Sequence, residues 1–314
     1  MRPALIALGC MLVLGSAGAP AAEPDYSQRL DPLWDFADPV ASEGRFRSEV
    51  SRWTPGSREA SEATTQVARS LGLQRRFAAA DRALDTVKPT LARLPVRVRV
   101  RYLLERGRRD NSSGHRDRAY AWFQQALVAT VDDALPGADY YRVDSLHMLA
   151  IAAPLKRQRA WNLEALATAD ASADPRTRGW RGSLLNNLGW TMHERGDDDA
   201  ALAYWQDALI AFEAKRDTSA IRIARWTVAR GLRAVGRLDE AEAMQRALAQ
   251  ELDAANAPDG EVFEELAEIA VARGDRVSAA TWASKALALL AQDAEVRANE
   301  PARLARLAEL ARTR

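Results

Sequence analysis

Leu188-Gly189-Trp190-Thr191-Met192-His193-Glu194-Arg195-Gly196, continued by Asp197-Asp198-Asp199-Ala200-Ala201-Leu202-Ala203-Tyr204-Trp205-Gln206-Asp207-Ala208, is the stretch whose reading decides the fold. It reads as a helix carrying a Leu-Gly pair, a polar turn at Gly196, and a second helix carrying Ala201, Trp205 and Ala208. Two antiparallel helices approach closely only where one offers Gly or Ala and the other packs a large side chain into the gap. A single helix pair cannot bury its own apolar face, so the segment predicts stacked neighbours and a repeat.

Ala-Leu pairs expose the period. They stand at Ala83-Leu84, Ala126-Leu127, Ala165-Leu166, Ala208-Leu209, Ala247-Leu248 and Ala286-Leu287, in steps of 43, 39, 43, 39 and 39 residues. Each closes a helical segment preceded by a turn and another helix. The second-helix pattern recurs as Gly114, Ala119, Phe123 and Ala126, as Gly274, Ala279, Ala283 and Ala286, and more loosely as Gly236, Ala241, Gln245 and Ala247. First helices agree: Leu103 and Gly107, Val228 and Ala229, and Leu266 and Ala267 take the leucine and small-residue places of their units.

On these residues the chain resembles the tetratricopeptide-repeat family, whose signature has Leu-Gly in the first helix and Ala, an aromatic and Ala in the second. The resemblance covers roughly residues 60 to 290 and implies an all-α, right-handed α-solenoid of about six helix pairs, with a period of about 40 and helical caps. Two units are degenerate. The first runs through Val67, Ala68 and Leu71 to Phe77, Ala80 and Leu84, with Arg75 in the place of the turn glycine; the third, Tyr140 to Ala169, has Pro154 in its turn and His147 near the small-residue position. The period exceeds the family's of about 34. Longer helices or longer inter-repeat loops are therefore expected, the loops at Thr130–Asp139, Asp170–Arg178, Lys215–Ser219 and Asn256–Gly260. Armadillo and HEAT units have similar periods and are the structural alternative.

The array is expected over residues 58–290. A segment over 23–57 caps its start, with Trp34 and Phe36 between the Asp31-Pro32 and Asp38-Pro39 pairs, and an amphipathic helix over 291–314, opened by Pro301, caps its end. Residues 1–22 read as a signal peptide: Arg2, an apolar run from Ala4 to Leu14, then small residues through Ala19-Pro20-Ala21. An uncleaved anchor and lipidation at Cys10 are the alternatives. The expected location is exported, periplasmic before secreted. Cys10 is the one cysteine, so the processed chain would have no disulfide and no thiol nucleophile.

Charge excludes one class of partner. The chain has 44 basic and 43 acidic residues, and removing the leader, which holds Arg2 and no acid, leaves 43 of each. A nucleic-acid binder draws its affinity from a basic excess, which is missing here. No segment after the leader is apolar enough to span a membrane. A phosphate loop, a G-x-S-x-G elbow and an H-E-x-x-H helix are all lacking, and His115, His147 and His193 include no i, i+4 pair. Neither enzyme chemistry nor a metal or cofactor is expected.

Binding has the better case. In the family, residues 2, 5, 9 and 12 of each repeat face the concave side, which the resemblance carries onto Arg101, Leu104, Arg108 and Asn111 in unit two and onto Ser183, Asn186, Trp190 and His193 in unit four. Unit five gives Ile223, Trp226, Arg230 and Arg233, and unit six gives Glu261, Glu264, Glu268 and Val271. Asn187 stands at one place of the family's chaperone-carboxylate clamp, but Ile223 and Thr227 stand where that clamp needs basic groups, so the clamp is not made out. Tryptophans flanked by Arg and Asn suit an extended peptide, with aromatic anchors and polar groups for its backbone and carboxylates. The competing expectation is that Arg230 and Arg233 pair with Glu264 and Glu268 and that the tryptophans fill space between repeats. The expected function is a non-catalytic scaffold for a protein or peptide; the alternative is a spacer working through its caps and edges.

Overall fold

The computed structural model describes residues 26–132 and 135–312; the leader read over 1–22 lies outside them. Among the described residues the chain is all-α and solenoidal. Two short helices come first, α1 (Tyr26–Leu30) and α2 (Pro39–Val50). Six pairs follow: α3 (Arg58–Leu73) with α4 (Phe77–Val87), α5 (Val96–Ser112) with α6 (Arg116–Ala129), and α7 (Ala138–Ala152) with α8 (Leu155–Ala171). After the single turn α9 (Pro175–Arg178) come α10 (Arg181–Glu194) with α11 (Asp198–Lys215), α12 (Thr218–Ala234) with α13 (Leu238–Ala254), and α14 (Gly260–Arg273) with α15 (Arg276–Leu290). The chain ends in α16 (Ala294–Asn299) and α17 (Pro301–Arg312). At the two ends, α2 lies on α3 and α17 on α15.

A recurring helix stop sets the register. Gly114, Gly196, Gly236 and Gly274 all take left-handed backbone, with φ of 84°, 79°, 80° and 75°. In each turn the next residue's N–H donates to a carbonyl five residues back, as in His115 to Asp110 at 2.8 Å and Arg237 to Leu232 at 2.8 Å. Arg75 does the same without being glycine, at φ 57°, and Arg76 N–H closes on the Leu71 carbonyl at 2.9 Å. The degenerate first unit therefore has the same turn as the others. Only the third differs: Ala153 and Pro154 are extended, so the chain turns there by proline geometry.

Counted from the left-handed residue, buried positions fall five, nine and twelve residues on. They are Ala80, Leu84 and Val87; Ala119, Phe123 and Ala126; Ala201, Trp205 and Ala208; Ala241, Gln245 and Leu248; and Ala279, Ala283 and Ala286. Two Ala-Leu pairs are thereby displaced. Leu248 is buried and Ala247 exposed, and Val87 rather than Ala83 takes the last place in the first unit. Alanine is too common in these helices to mark register alone. With Ala165 for the third unit the steps become 39, 39, 43, 40 and 38, and the long one spans the extra turn α9.

Close approach is visible where glycines stand. A Cβ on Gly189 would lie 2.3 Å from Trp205 Nε1, and one on Gly107 would lie 2.3 Å from the Phe123 ring. Trp205 is fully buried, and its indole N–H donates to the Asn186 carbonyl at 3.2 Å, so it cannot retreat. Gly189→Ala should lose about 1–3 kcal/mol in urea unfolding despite alanine's better helix propensity. Arg75→Gly should raise stability by about 1 kcal/mol in the same assay, because it relieves left-handed strain on a residue with a Cβ.

Candidate functional site

The first helices of successive pairs, α3, α5, α7, α10, α12 and α14, carry every residue assigned to the groove. In the C-terminal half they bring seven of these together. Trp190, Trp226, Arg230, Arg233, Glu261, Glu264 and Glu268 line one cavity of about 510 Å³ with Glu265 and Arg303. Trp190 stands edge-on to Trp205 at 5.1 Å and 6.2 Å from Trp226. The Arg230 guanidinium lies over both exposed-side rings, 5.5 Å from Trp190 and 5.8 Å from Trp226.

The ion pairs differ from those expected. Arg233 donates to both oxygens of Glu265, at 2.5 and 3.2 Å, and Arg230 approaches the same carboxylate at 3.6 Å. Glu265 is 1 % exposed, and burial pushes its carboxyl up despite the two arginines. Glu264 and Glu268 are held instead by Arg303 and Arg306 of α17. Arg230 is thus the under-used cation, with a buried Nε that has no hydrogen-bond partner. Trp226 donates to the Glu261 carbonyl at 3.2 Å, which fixes its ring at the rim.

The remaining residues are more dispersed. Asn187 meets His147 Nδ1 at 3.0 Å, and His193 Nδ1 meets Asp198 at 2.5 Å. The Asn186 side-chain oxygen is buried without a partner. In the N-terminal half, Arg101 is buried between Glu62, at 3.1 Å, and the Tyr141 hydroxyl, at 3.2 Å. Arg108 bonds Glu105 at 2.5 Å and also Asp144. Asn111, with its Oδ1 buried and unpartnered, borders a cavity of about 340 Å³ beside Arg108 and Arg69. Arg101 is therefore a tie between units one, two and three.

Beside Arg101 and Arg108 lies a smaller cavity of about 150 Å³, walled also by Arg69, Tyr140 and Asp144 and bordered by Asp31, Trp34 and Phe36 from the N-terminal segment. Trp34 stacks on Phe36 with centroids 4.8 Å apart, and its indole N–H donates to Gln66 at 3.2 Å. Asp31 pairs with Arg176 of α9 at 3.1 Å, across 145 residues. The segment expected only as a cap on the first repeat thus reaches into the groove as far as the third unit and the α9 turn that follows it. Sequence reasoning missed Glu265, Arg303 and Arg176, because each acts through a neighbour in the stack. The Trp34-Asp35-Phe36 cluster was the one local signal of the segment's role.

No protein-family model matches the chain, and no curated protein matches it in sequence. Solved structures do. NprR in complex with its cognate peptide NprX aligns with TM-score 0.56 and 15 % identity, covering 92 % of this chain and 84 % of that one. A Rap protein complexed with Competence and Sporulation Factor gives 0.61 and 11 %, covering 90 % and 80 %. PilW, a type IV pilus biogenesis factor, gives 0.55 and 18 %, covering 77 % and 99 %. The chain has the tetratricopeptide-repeat fold.

His147 bridges the two halves, 5.2 Å from Trp180 and facing Asp144, Arg108, Arg69 and Asn187. Burial pushes its pKa down to about 4, with Asp144 opposing and the two arginines assisting, so it stays neutral in the fold. The unfolded chain binds the proton first. Stability should therefore fall as pH drops from about 6.5 to about 4, by at most about 1.4 kcal/mol per pH unit, and His147→Gln should flatten that slope in urea melts.

Proposed function

We propose that the chain is a non-catalytic scaffold that holds a protein or peptide partner against the first-helix face of its repeats. The observation carrying this reading is the Trp190–Trp226–Arg230 group in a cavity of about 510 Å³, where Arg230 keeps an unpartnered Nε under two aromatic rings. An extended peptide could place an apolar side chain on the rings and a carbonyl or carboxylate on Arg230. The NprR structure, in complex with its cognate peptide NprX, supports a peptide as the occupant of a solenoid of this kind.

The leader read over residues 1–22 supports an exported, periplasmic location, where the partner would be met. No helix among the described residues is long and apolar enough to cross a membrane. No cofactor enters this reading.

A photoreactive amino acid at Trp226 or Arg108 should capture one and the same partner in cells, while the same probe at Ala247 or Ile210, exposed on second helices, should not. Capture from Ala247 and Ile210 alone would contradict the reading. Trp190→Ala together with Arg230→Gln should weaken the captured partner's binding at least about tenfold, measured by fluorescence anisotropy.

A further inference from the structure

Residues 31–36, Asp-Pro-Leu-Trp-Asp-Phe, are seated in the groove of the first three units as a bound peptide would be. Each end has its own receptor. Asp31 meets Arg176 of α9, Trp34 donates to Gln66 of α3, and the Arg69 guanidinium lies 5.6 Å from both the Trp34 and Phe36 rings. Asp35 is spent on the turn itself, accepting from the Ala37 and Asp38 N–H groups, so it takes no part in this recognition.

The resident segment fits incompletely. Phe36 is 62 % exposed, and a cavity of about 150 Å³ remains between the segment and α5 and α7. Arg101, 7 % exposed, lines that cavity with an Nη2 that has no hydrogen-bond partner. Arg69 is also short of an anion. Its ion pair is Glu105 at 3.6 Å, an acid that Arg108 already holds at 2.5 Å, and burial beside Arg108 lowers its guanidinium from the ordinary range. The Asp31–Arg176 pair is partly exposed and contributes little. What keeps the segment in place is largely its tether, through the buried Leu30 before it and α2 after it.

The geometry points to residues 31–36 as an internal ligand that holds the place of a partner segment of the same chemistry, an acid three residues before a tryptophan with a second aromatic two residues on. This rests on the concave face being the binding face. A partner acid with a longer stem than aspartate could reach both Arg176 and the unpartnered Nη2 of Arg101, which the resident Asp31 does not satisfy. Trp34 also packs on Phe46 of α2 at 4.8 Å, so the incoming tryptophan takes over that contact as the resident swings out.

The test uses a fluorescein-labelled peptide of residues 31–38 and fluorescence anisotropy on the purified protein. Intact protein should bind it weakly, and the double variant Trp34→Ala with Phe36→Ala should bind it at least about tenfold more tightly, because the tethered competitor is gone. Should that variant melt early by circular dichroism, Phe36→Ala alone, at a side chain 62 % exposed, should shift affinity in the same direction. In the released protein, Arg69→Gln should loosen the peptide at least about tenfold, while Arg176→Gln should change its affinity little. No binding to any released variant, or binding indifferent to Arg69→Gln, overturns the inference. Concentration-dependent dimers that the peptide disperses would make a second copy of this chain the occupant, which also overturns a separate partner. If the peptide fails while a probe at Trp226 still captures a partner, this inference alone falls; if both fail, the groove reading falls with it.

Discussion

The Trp205 indole occupies the space that a side chain on Gly189 would need, and much of the molecule follows from that contact. With the ring against bare backbone, α10 and α11 come close enough for Ala201 and Ala208 to be fully buried on the facing helix. The same ring meets Gly231 of α12, where a Cβ would lie 2.9 Å away, so one side chain sets the spacing both within its pair and to the next unit. Phe123 against Gly107 repeats the device in the second unit. Pairs spaced this way stack with their first helices side by side, and a concave face results from the stacking itself.

That face is polar yet nearly self-neutralised. Arg233 takes Glu265, Arg303 takes Glu264, and Arg306 takes Glu268, while in the other half Arg97 takes both oxygens of Glu62. These pairs tie unit one to unit two, unit five to unit six, and unit six to α17, and they leave few charged groups with bonding capacity to spare. Arg230 in the C-terminal half and Arg101 in the N-terminal half stand out, each with a buried nitrogen lacking a partner. A buried unpaired donor is unfavourable unless something meets it, which is why these two arginines define where a ligand gains most.

Local chemistry was legible in the sequence and contacts between units were not. Gly114, Gly196, Gly236 and Gly274 announce their turns because left-handed backbone favours glycine, and Arg75 shows that the position, rather than the residue, is what repeats. Gly189 with Trp205 could be read as close approach before any coordinates. The fifth unit slipped by one because Ala247 and Leu248 are both apolar and only packing distinguishes them. Trp190, Trp226, Arg230 and Arg233, which the resemblance placed on the groove, line one cavity. The arginines' pairing with Glu265 was not legible, since that acid lies one residue beyond a groove position and turns inward. The placement of Asp31 against Arg176 spans 145 residues and has no periodic signature at all.

The central claim is that missing side chains set the helix spacing by admitting an aromatic ring. A double-mutant cycle in urea between Gly189→Ala and Trp205→Leu tests it most directly. If the ring fills the space of the absent Cβ, Gly189→Ala will be clearly destabilising with tryptophan present and nearly neutral with leucine, a coupling of about 1–2 kcal/mol. Additive effects, with coupling within about 0.5 kcal/mol of zero, would contradict the claim and leave the spacing to some other contact.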